Sequence, residues 1–296
     1  MEHLRTTEFD FGAEPTAVRH PPTPDLHKPS DVCRLGHLSD FHFGKPTDDG
    51  LPNEEAVERW LDAFEKARVD ALAVTGDLVE TPGDREGLER AKRLLEAASF
   101  RCLVIPGNHD IAHPGKEGPF EELFGPYPRV ERAAGAAFLL FDSMGGLPEA
   151  ERSDRERRDA AERGAFSRGA VGEKQRRRIE EDLGEKPPFG RVVLVHHHLR
   201  YNAPTATGWE PDPASPHGFM SPLADARRHL GWAATRARLV LHGHKHNFWE
   251  PYRPLRGLVV LNSGTAVQAK PGRRRRGRIV DLAADRDALT IHDLAL

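Results

Sequence analysis

Three short runs of β-forming residues set the frame of this chain: Val32–Leu38, Ala71–Thr75 and Arg101–Ile105. Each stops abruptly in a polar turn: Ser39-Asp40-Phe41-His42-Phe43-Gly44, then Gly76-Asp77, then Pro106-Gly107-Asn108-His109-Asp110. Between the first two runs, Val57, Trp60, Leu61 and Phe64 recur at helical spacing. Leu88, Leu94 and Leu95 do the same before the third. The spacing predicts helices over about 54–68, with Asn53 as N-cap, and about 84–98. Such a β-α-β-α-β rhythm forces parallel strands joined by right-handed crossovers. Parallel strands place their C-terminal turns on one edge, where open α/β sheets bind ligands.

The pattern continues downstream. Ala136–Phe141, Arg191–Val195 and Arg238–Leu241 read as strands, and Glu173–Leu183 as a helix. Leu258–Leu261, Arg278–Leu282 and Ala288–Asp293 read as short closing strands. Residues 1–31 are rich in proline and charge, and Pro21-Pro22-Thr23-Pro24 excludes helix and central strand there. They are expected to form an extended or disordered arm ahead of a single domain over 32–296. Residues 149–164 hold almost only charged residues, Ala and Gly, so a solvated insert is expected near 145–170.

Composition narrows the function classes. A chain of 296 residues can bury a substantial core even at 38% hydrophobic content. No apolar run approaches the roughly 18 residues of a membrane-spanning helix. Met1–Pro29 has no basic stretch followed by an apolar one, so no secretory signal is expected and a cytoplasmic location is. Cys33 and Cys102 both fall in strands and read as small buried hydrophobes. A net charge of -3 gives no global reason to expect nucleic acid or membrane as partner. Arg176–Arg178 has acidic neighbours, and only Arg273–Arg276 hints at a phosphate-bearing partner.

Five strand ends then carry five polar sets: Asp40 and His42; Asp77; Asn108 and His109; His196; His244 and His246. In an extended segment, residues two apart point to one face, so Asp40 and His42 can reach one ion together, and His244 and His246 a shared site. Carboxylate, imidazole and amide oxygen suit Mn, Fe, Zn or Co, and no thiolate is in play. Seven ligands exceed one tetrahedral ion and suit two ions bridged by a carboxylate. Glycines beside the ligands, in Gly76-Asp77, Gly107-Asn108 and Gly243-His244, permit close backbone approach. His196 directly continues its strand, whereas His197 would face the opposite side.

These residues resemble the calcineurin-like metallophosphoesterases. The matching signatures are Asp40-x-His42, Gly76-Asp77, Gly107-Asn108-His109-Asp110, the His at 196 and Gly243-His244-x-His246, in order. The resemblance implies a four-layer α/β/β/α sandwich of two mixed sheets with a dinuclear site at the strand ends. It implies two divalent or mixed-valence transition-metal ions, Mn, Fe or Zn. Asp40, His42 and His246 would hold the first ion, and Asn108, His196 and His244 the second. Asp77 would bridge them, and His109 would lie over the substrate as acid or electrostatic stabiliser. Glu80 and Asp110 are candidate partners that orient His109.

The chemistry expected is hydrolysis of a phosphoester by a metal-bridging hydroxide. Asp-Phe-His-Phe-Gly and the triple His resemble the bacterial branch that includes cyclic-nucleotide and other phosphodiesterases. A small phosphodiester is therefore the expected substrate. A nuclease or a lipid-precursor pyrophosphatase would use the same chemistry, and a non-catalytic binding scaffold is the reading from another class. The loop Tyr201–Met220, with Trp209, His217 and Phe219, is expected either to wall the pocket and stack a base or simply to be pinned by its aromatics.

Overall fold

The computed structural model describes residues 1–10, 17–19, 28–45, 47, 50–112, 118–146, 169–199, 223–246, 250–255, 257–267, 274–284 and 288–296. The charged insert 149–164, the loop Tyr201–Met220, Pro21–Pro24 and Arg273 lie outside the described residues.

Two mixed sheets face each other. The first has the order β2 (Ala17–Arg19), β1 (Glu2–Asp10), β13 (Ala288–Ala295), β12 (Arg276–Ala283), β3 (Val32–Leu38), β4 (Ala71–Val74), β5 (Arg101–Val104). As the alternating pattern required, β3, β4 and β5 are parallel, with Leu38 opposite Val74 and Val74 opposite Val104. The second sheet has the order β10 (Tyr252–Leu255), β11 (Leu258–Asn262), β9 (Leu239–His242), β8 (Arg191–Leu194), β7 (Ala136–Leu140), β6 (Arg129–Ala133). Its central strands β7, β8, β9 and β11 are also parallel.

Helices cover the outer faces. Trp60 and Phe64 of α1 (Asn53–Lys66), Leu88 and Leu95 of α2 (Arg85–Glu96) and Phe120 of α3 (Pro119–Phe124) pack on Leu38, Leu72 and Val74. Ile179 of α4 (Gly172–Asp182) and Leu230 of α5 (Ala226–Ala234) pack on Leu139, Val193 and Val240 of the second sheet. Between the sheets, Leu35, Ala73, Leu103 and Val280 meet Phe138, Leu140, Leu194 and Leu241. The result is the expected α/β/β/α sandwich. No helix among the described residues is long and apolar enough to cross a membrane. Both cysteines are free, and burial pushes each thiol up to about 12, in keeping with a packing role.

The first 31 residues depart from expectation. β1 pairs antiparallel with β13, from Glu2↔Ala295 to Asp10↔Ala288, and β2 pairs outside it. Much of the expected arm is therefore sheet. The prolines that argued against strand lie after both elements. The charge that argued against burial is met locally: Arg5 lies 2.6 Å from Asp293 and 2.5 Å from Glu250.

A second departure concerns Asn53. It is the first residue of α1, after Pro52, and caps nothing. Its Nδ2 instead donates to the carbonyls of Phe41 (3.1 Å), His42 (2.6 Å) and Lys45 (3.2 Å). The helix start thus pins the turn that follows β3.

Candidate metal centre

The turns after β3 and β4 run side by side. Asp40 N–H donates to Gly76 O (2.9 Å), His42 N–H to Asp77 O (3.0 Å), Phe43 N–H to Leu78 O (2.9 Å) and Glu80 N–H to Phe43 O (3.0 Å). Asp110 ties the turn after β5 to this pair. Its Oδ1 accepts from Leu78 N–H (2.7 Å) and Val79 N–H (3.2 Å), and its Oδ2 from Gly107 N–H (2.8 Å). Burial first, then Asp77, pushes the Asp110 carboxyl up to about 7.

Four of the six left-handed non-glycine residues among those described stand here; Arg68 and Ala134 are the other two. Asp40 (φ 58°), His42 (46°), Asp77 (54°) and His244 (67°) are all left-handed. That costs a non-glycine residue on the order of 1–2 kcal/mol, and such strain concentrates at functional sites. The neighbouring glycines have a steric reason. A Cβ on Gly243 would sit 1.9 Å from Ser39 Oγ and 2.9 Å from Asp40 Oδ2. One on Gly76 would sit 2.7 Å from His196 Nδ1, and one on Gly107 2.2 Å from Asp77 Oδ1.

The side chains gather into two adjoining sets, Asp40 with His42 and His246, and Asp77 with His196 and His244, each with its donor atoms within 4.8 Å of one another. In the first, His246 Nε2 is 3.0 Å from His42 Nε2 and 3.3 Å from Asp40 Oδ1. In the second, Asn108 Oδ1 faces both His196 Nε2 (3.1 Å) and His244 Nδ1 (2.9 Å). Asp77 Oδ2 lies 3.2 Å from His196 Nε2 and 3.8 Å from His42 Nε2, so one oxygen touches both sets. His196 Nδ1 donates to Thr75 O at 2.6 Å, which fixes its tautomer and turns Nε2 inward.

A metal fits these residues. Asp40 is fully buried, yet neither of its oxygens accepts a hydrogen bond. Burial opposes charge on Asp77, but His196, His109 and His42 outweigh it and hold the carboxyl well below its usual range. Burial likewise opposes a charged His196, but Asp77, Asp40 and the Thr75 carbonyl outweigh it and push the imidazole up to about 9. A field that holds a proton on a buried imidazole also attracts a metal cation. Carboxylate, imidazole and amide oxygen without thiolate is a donor set for Mn, Fe or Zn.

The remaining expected residues are placed differently. His109 stands beside His42, ring centres 5.0 Å apart, and its Nδ1 donates to the main-chain oxygen of Glu80 at 2.7 Å. The Glu80 carboxylate does not orient His109; it goes to His42 Nδ1 (2.7 Å) and Lys45 Nζ (3.2 Å). Asp110 does not orient His109 through its side chain either, because both its oxygens serve main-chain amides. His197 stands behind His244, ring centres 4.5 Å apart, with Nδ1 2.7 Å from Ser143 Oγ. Of the basic run, Arg274 pairs with Glu2, and Arg275 Nε donates to Val267 O at 3.0 Å. Sequence reasoning gave Thr75 and Ser143 no role and Asn53 only that of an N-cap; for Thr75 and Ser143 the one signal was a place just past β4 and β7.

Comparison with known proteins bears on the fold and the family. Residues 33–248 match the family described as calcineurin-like phosphoesterase. The 3′,5′-cyclic adenosine monophosphate phosphodiesterase CpdA of Haemophilus influenzae is 24% identical over 221 residues; the match covers 70% of this chain and spans 65% of that relative's length. The glycerophosphodiester phosphodiesterase GpdQ of Enterobacter lignolyticus is 35% identical over 83 residues, 26% of this chain and 29% of that one. A dimetal phosphatase from Danio rerio shares the fold, with a TM-score of 0.58 at 13% identity over 90% of this chain and 99% of that one. With the family match spanning most of its length, the chain belongs to the calcineurin-like phosphoesterases.

Proposed function

We propose that this chain hydrolyses a small phosphodiester at a dinuclear metal centre. Asp40, His42 and His246 would hold one ion and Asn108, His196 and His244 the other, with Asp77 facing both sets. The observation that carries the reading is the place of Asp77 Oδ2, between His196 Nε2 at 3.2 Å and His42 Nε2 at 3.8 Å. When bound, such paired ions make water nucleophilic near neutral pH and offset charge on the phosphoryl oxygens.

The chain's own residues do the rest. Thr75 O and the turn-to-turn backbone bonds hold the donors in place before substrate arrives. His109 gives Nδ1–H to Glu80 O, which leaves Nε2 as the nitrogen that hands a proton to the departing oxygen. A diester rather than a monoester is favoured by the two relatives named above as phosphodiesterases, and a cyclic nucleotide is the first substrate to try.

The test is metal analysis paired with turnover. The purified chain loaded with Mn is offered bis(p-nitrophenyl) phosphate and p-nitrophenyl phosphate. Faster diester cleavage that Asp77→Asn abolishes is the expected result. A chain that takes up no transition metal, or that cleaves neither ester, ends the proposal.

A further inference from the structure

Glu80 reaches two imidazoles through two different atoms. Its Oε2 lies 2.7 Å from His42 Nδ1, an ionic contact too far off the N–H direction to be a hydrogen bond. Its main-chain oxygen accepts from His109 Nδ1, also at 2.7 Å. Neither a carbonyl nor a carboxylate brings a proton here, so both rings keep theirs on Nδ1. The Nε2 of His42 is then turned toward His246 and Asp77, 3.0 and 3.8 Å away. His42, Glu80 and His109 also lie close enough to hold an ion of their own. Both Nδ1 atoms are already engaged with oxygens, however, so the group reads as support for the centre beside it.

The two contacts differ in kind. A carboxylate behind a ligating imidazole fixes the ring and raises its basicity, and its removal costs about 10–100-fold in metal affinity. A main-chain carbonyl orients its imidazole equally well, but no side-chain replacement removes it. The carbonyl is itself fixed, because Glu80 N–H donates to Phe43 O at 3.0 Å in the turn-to-turn ladder. Lys45 Nζ lies 3.2 Å from Oε1, but both side chains are about a third exposed, so this pair adds little.

We propose that Glu80 is a positioning residue with divided duties. Its side chain sets the affinity of the ion site built on Asp40, His42 and His246, and its main chain alone orients His109. The inference rests on the dinuclear reading above.

Equilibrium dialysis of the full chain against Mn tests it, with turnover of an alkyl and a p-nitrophenyl diester compared at saturating Mn. Wild type is expected to bind two ions. Glu80→Ala should weaken one site by about 10–100-fold and leave the other unchanged. Glu80→Gln, which keeps an oxygen toward Nδ1–H and keeps the volume, should fall between them and serves if the alanine variant does not fold. At saturating Mn, turnover of an alkyl diester relative to a p-nitrophenyl diester should stay at its wild-type ratio, because the orientation of His109 does not run through the Glu80 side chain. Two Mn sites of wild-type affinity in both variants overturn this inference alone. So do equal weakening of both sites and a fall in the alkyl-to-p-nitrophenyl turnover ratio. A wild-type chain that binds fewer than two ions overturns the dinuclear reading, and this inference with it.

Discussion

Gly107→Ala is the sharpest single perturbation of the centre. Gly107 has no left-handed backbone to protect, so the change is purely steric. The new methyl would lie 2.2 Å from Asp77 Oδ1 and 2.4 Å from Asp77 N. Rotating the carboxylate relieves only the first contact. It also breaks the bond that Oδ1 accepts from His109 N–H at 2.9 Å. The second contact is with backbone, so the turn after β4 or the one after β5 must shift. A shift on the order of 1 Å at a catalytic group costs about 100-fold in rate. Overpacking of this kind costs about 1–3 kcal/mol of stability. The assay is Mn-dependent cleavage of bis(p-nitrophenyl) phosphate alongside metal content and thermal unfolding. Gly231→Ala is the control: Gly231 lies in α5 with nothing within 4 Å of an added Cβ, so turnover should hold. A Gly107→Ala enzyme with full metal content and wild-type turnover would show that Asp77 is not held where the geometry says it matters.

His109→Ala should keep the metal content of wild type and lower kcat by about 100- to 10,000-fold on an alkyl diester. The loss should be far smaller on a p-nitrophenyl ester, whose leaving group needs no proton; equal losses on both would remove His109 as the acid. Asp142→Asn tests burial at the end of β7. Desolvation pushes this carboxyl up to about 6 from 3.8, against the bond it accepts from Met144 N–H. An acid whose folded pKa is raised loses stability as pH climbs from 3.8 through about 6. The amide side chain cannot ionise, so the variant should gain up to about 3 kcal/mol above that window and nothing below it; unfolding midpoints on the acid and alkaline sides of the window decide. Stripping wild type with a chelator should lower Tm, and Mn at about 100-fold over its Kd should restore about 2.7 kcal/mol per site; a Tm that ignores chelation would mean that the donors hold no metal.

What the sequence disclosed was local, and what it hid was long-range. The strands β3, β4 and β5 and their helices could be read because periodicity and turn residues act within a few positions of one another. So could the convergence of Asp77 and Asn108, which follows from parallel pairing alone. The strand at residues 2–10 could not, because its partner β13 lies at the other end of the chain. Taken alone it is polar; only pairing shows that Arg5 has Asp293 and Glu250 to meet. Asn53 misled for a related reason. A residue that favours the N-cap is also a strong side-chain donor, and the three carbonyls it meets belong to another turn. Glu80 was found by its place and misassigned by its atom: the main chain took the role expected of the side chain.

At Asp40-x-His42 two side chains come together by a local geometry other than the one the spacing suggests. The sequence argument took the segment as extended, where residues two apart share a face. But β3 ends at Leu38, and both Asp40 (φ 58°) and His42 (φ 46°) are left-handed, as is His244 (φ 67°). The chain coils at these points instead of continuing as strand. Coiling draws the donors over the strand ends, where one oxygen of Asp77 can meet imidazoles from both sheets. A β-strand would have carried them past the edge. The cost of the left-handed turns is offset by hydrogen bonds that do not use the Asp40, His42 or Asp77 side chains: the turn-to-turn ladder, the three carbonyls on Asn53 and the three amides on Asp110. These supports are main-chain or buried contacts, so the fold itself sets where the side chains of Asp40, His42 and Asp77 stand.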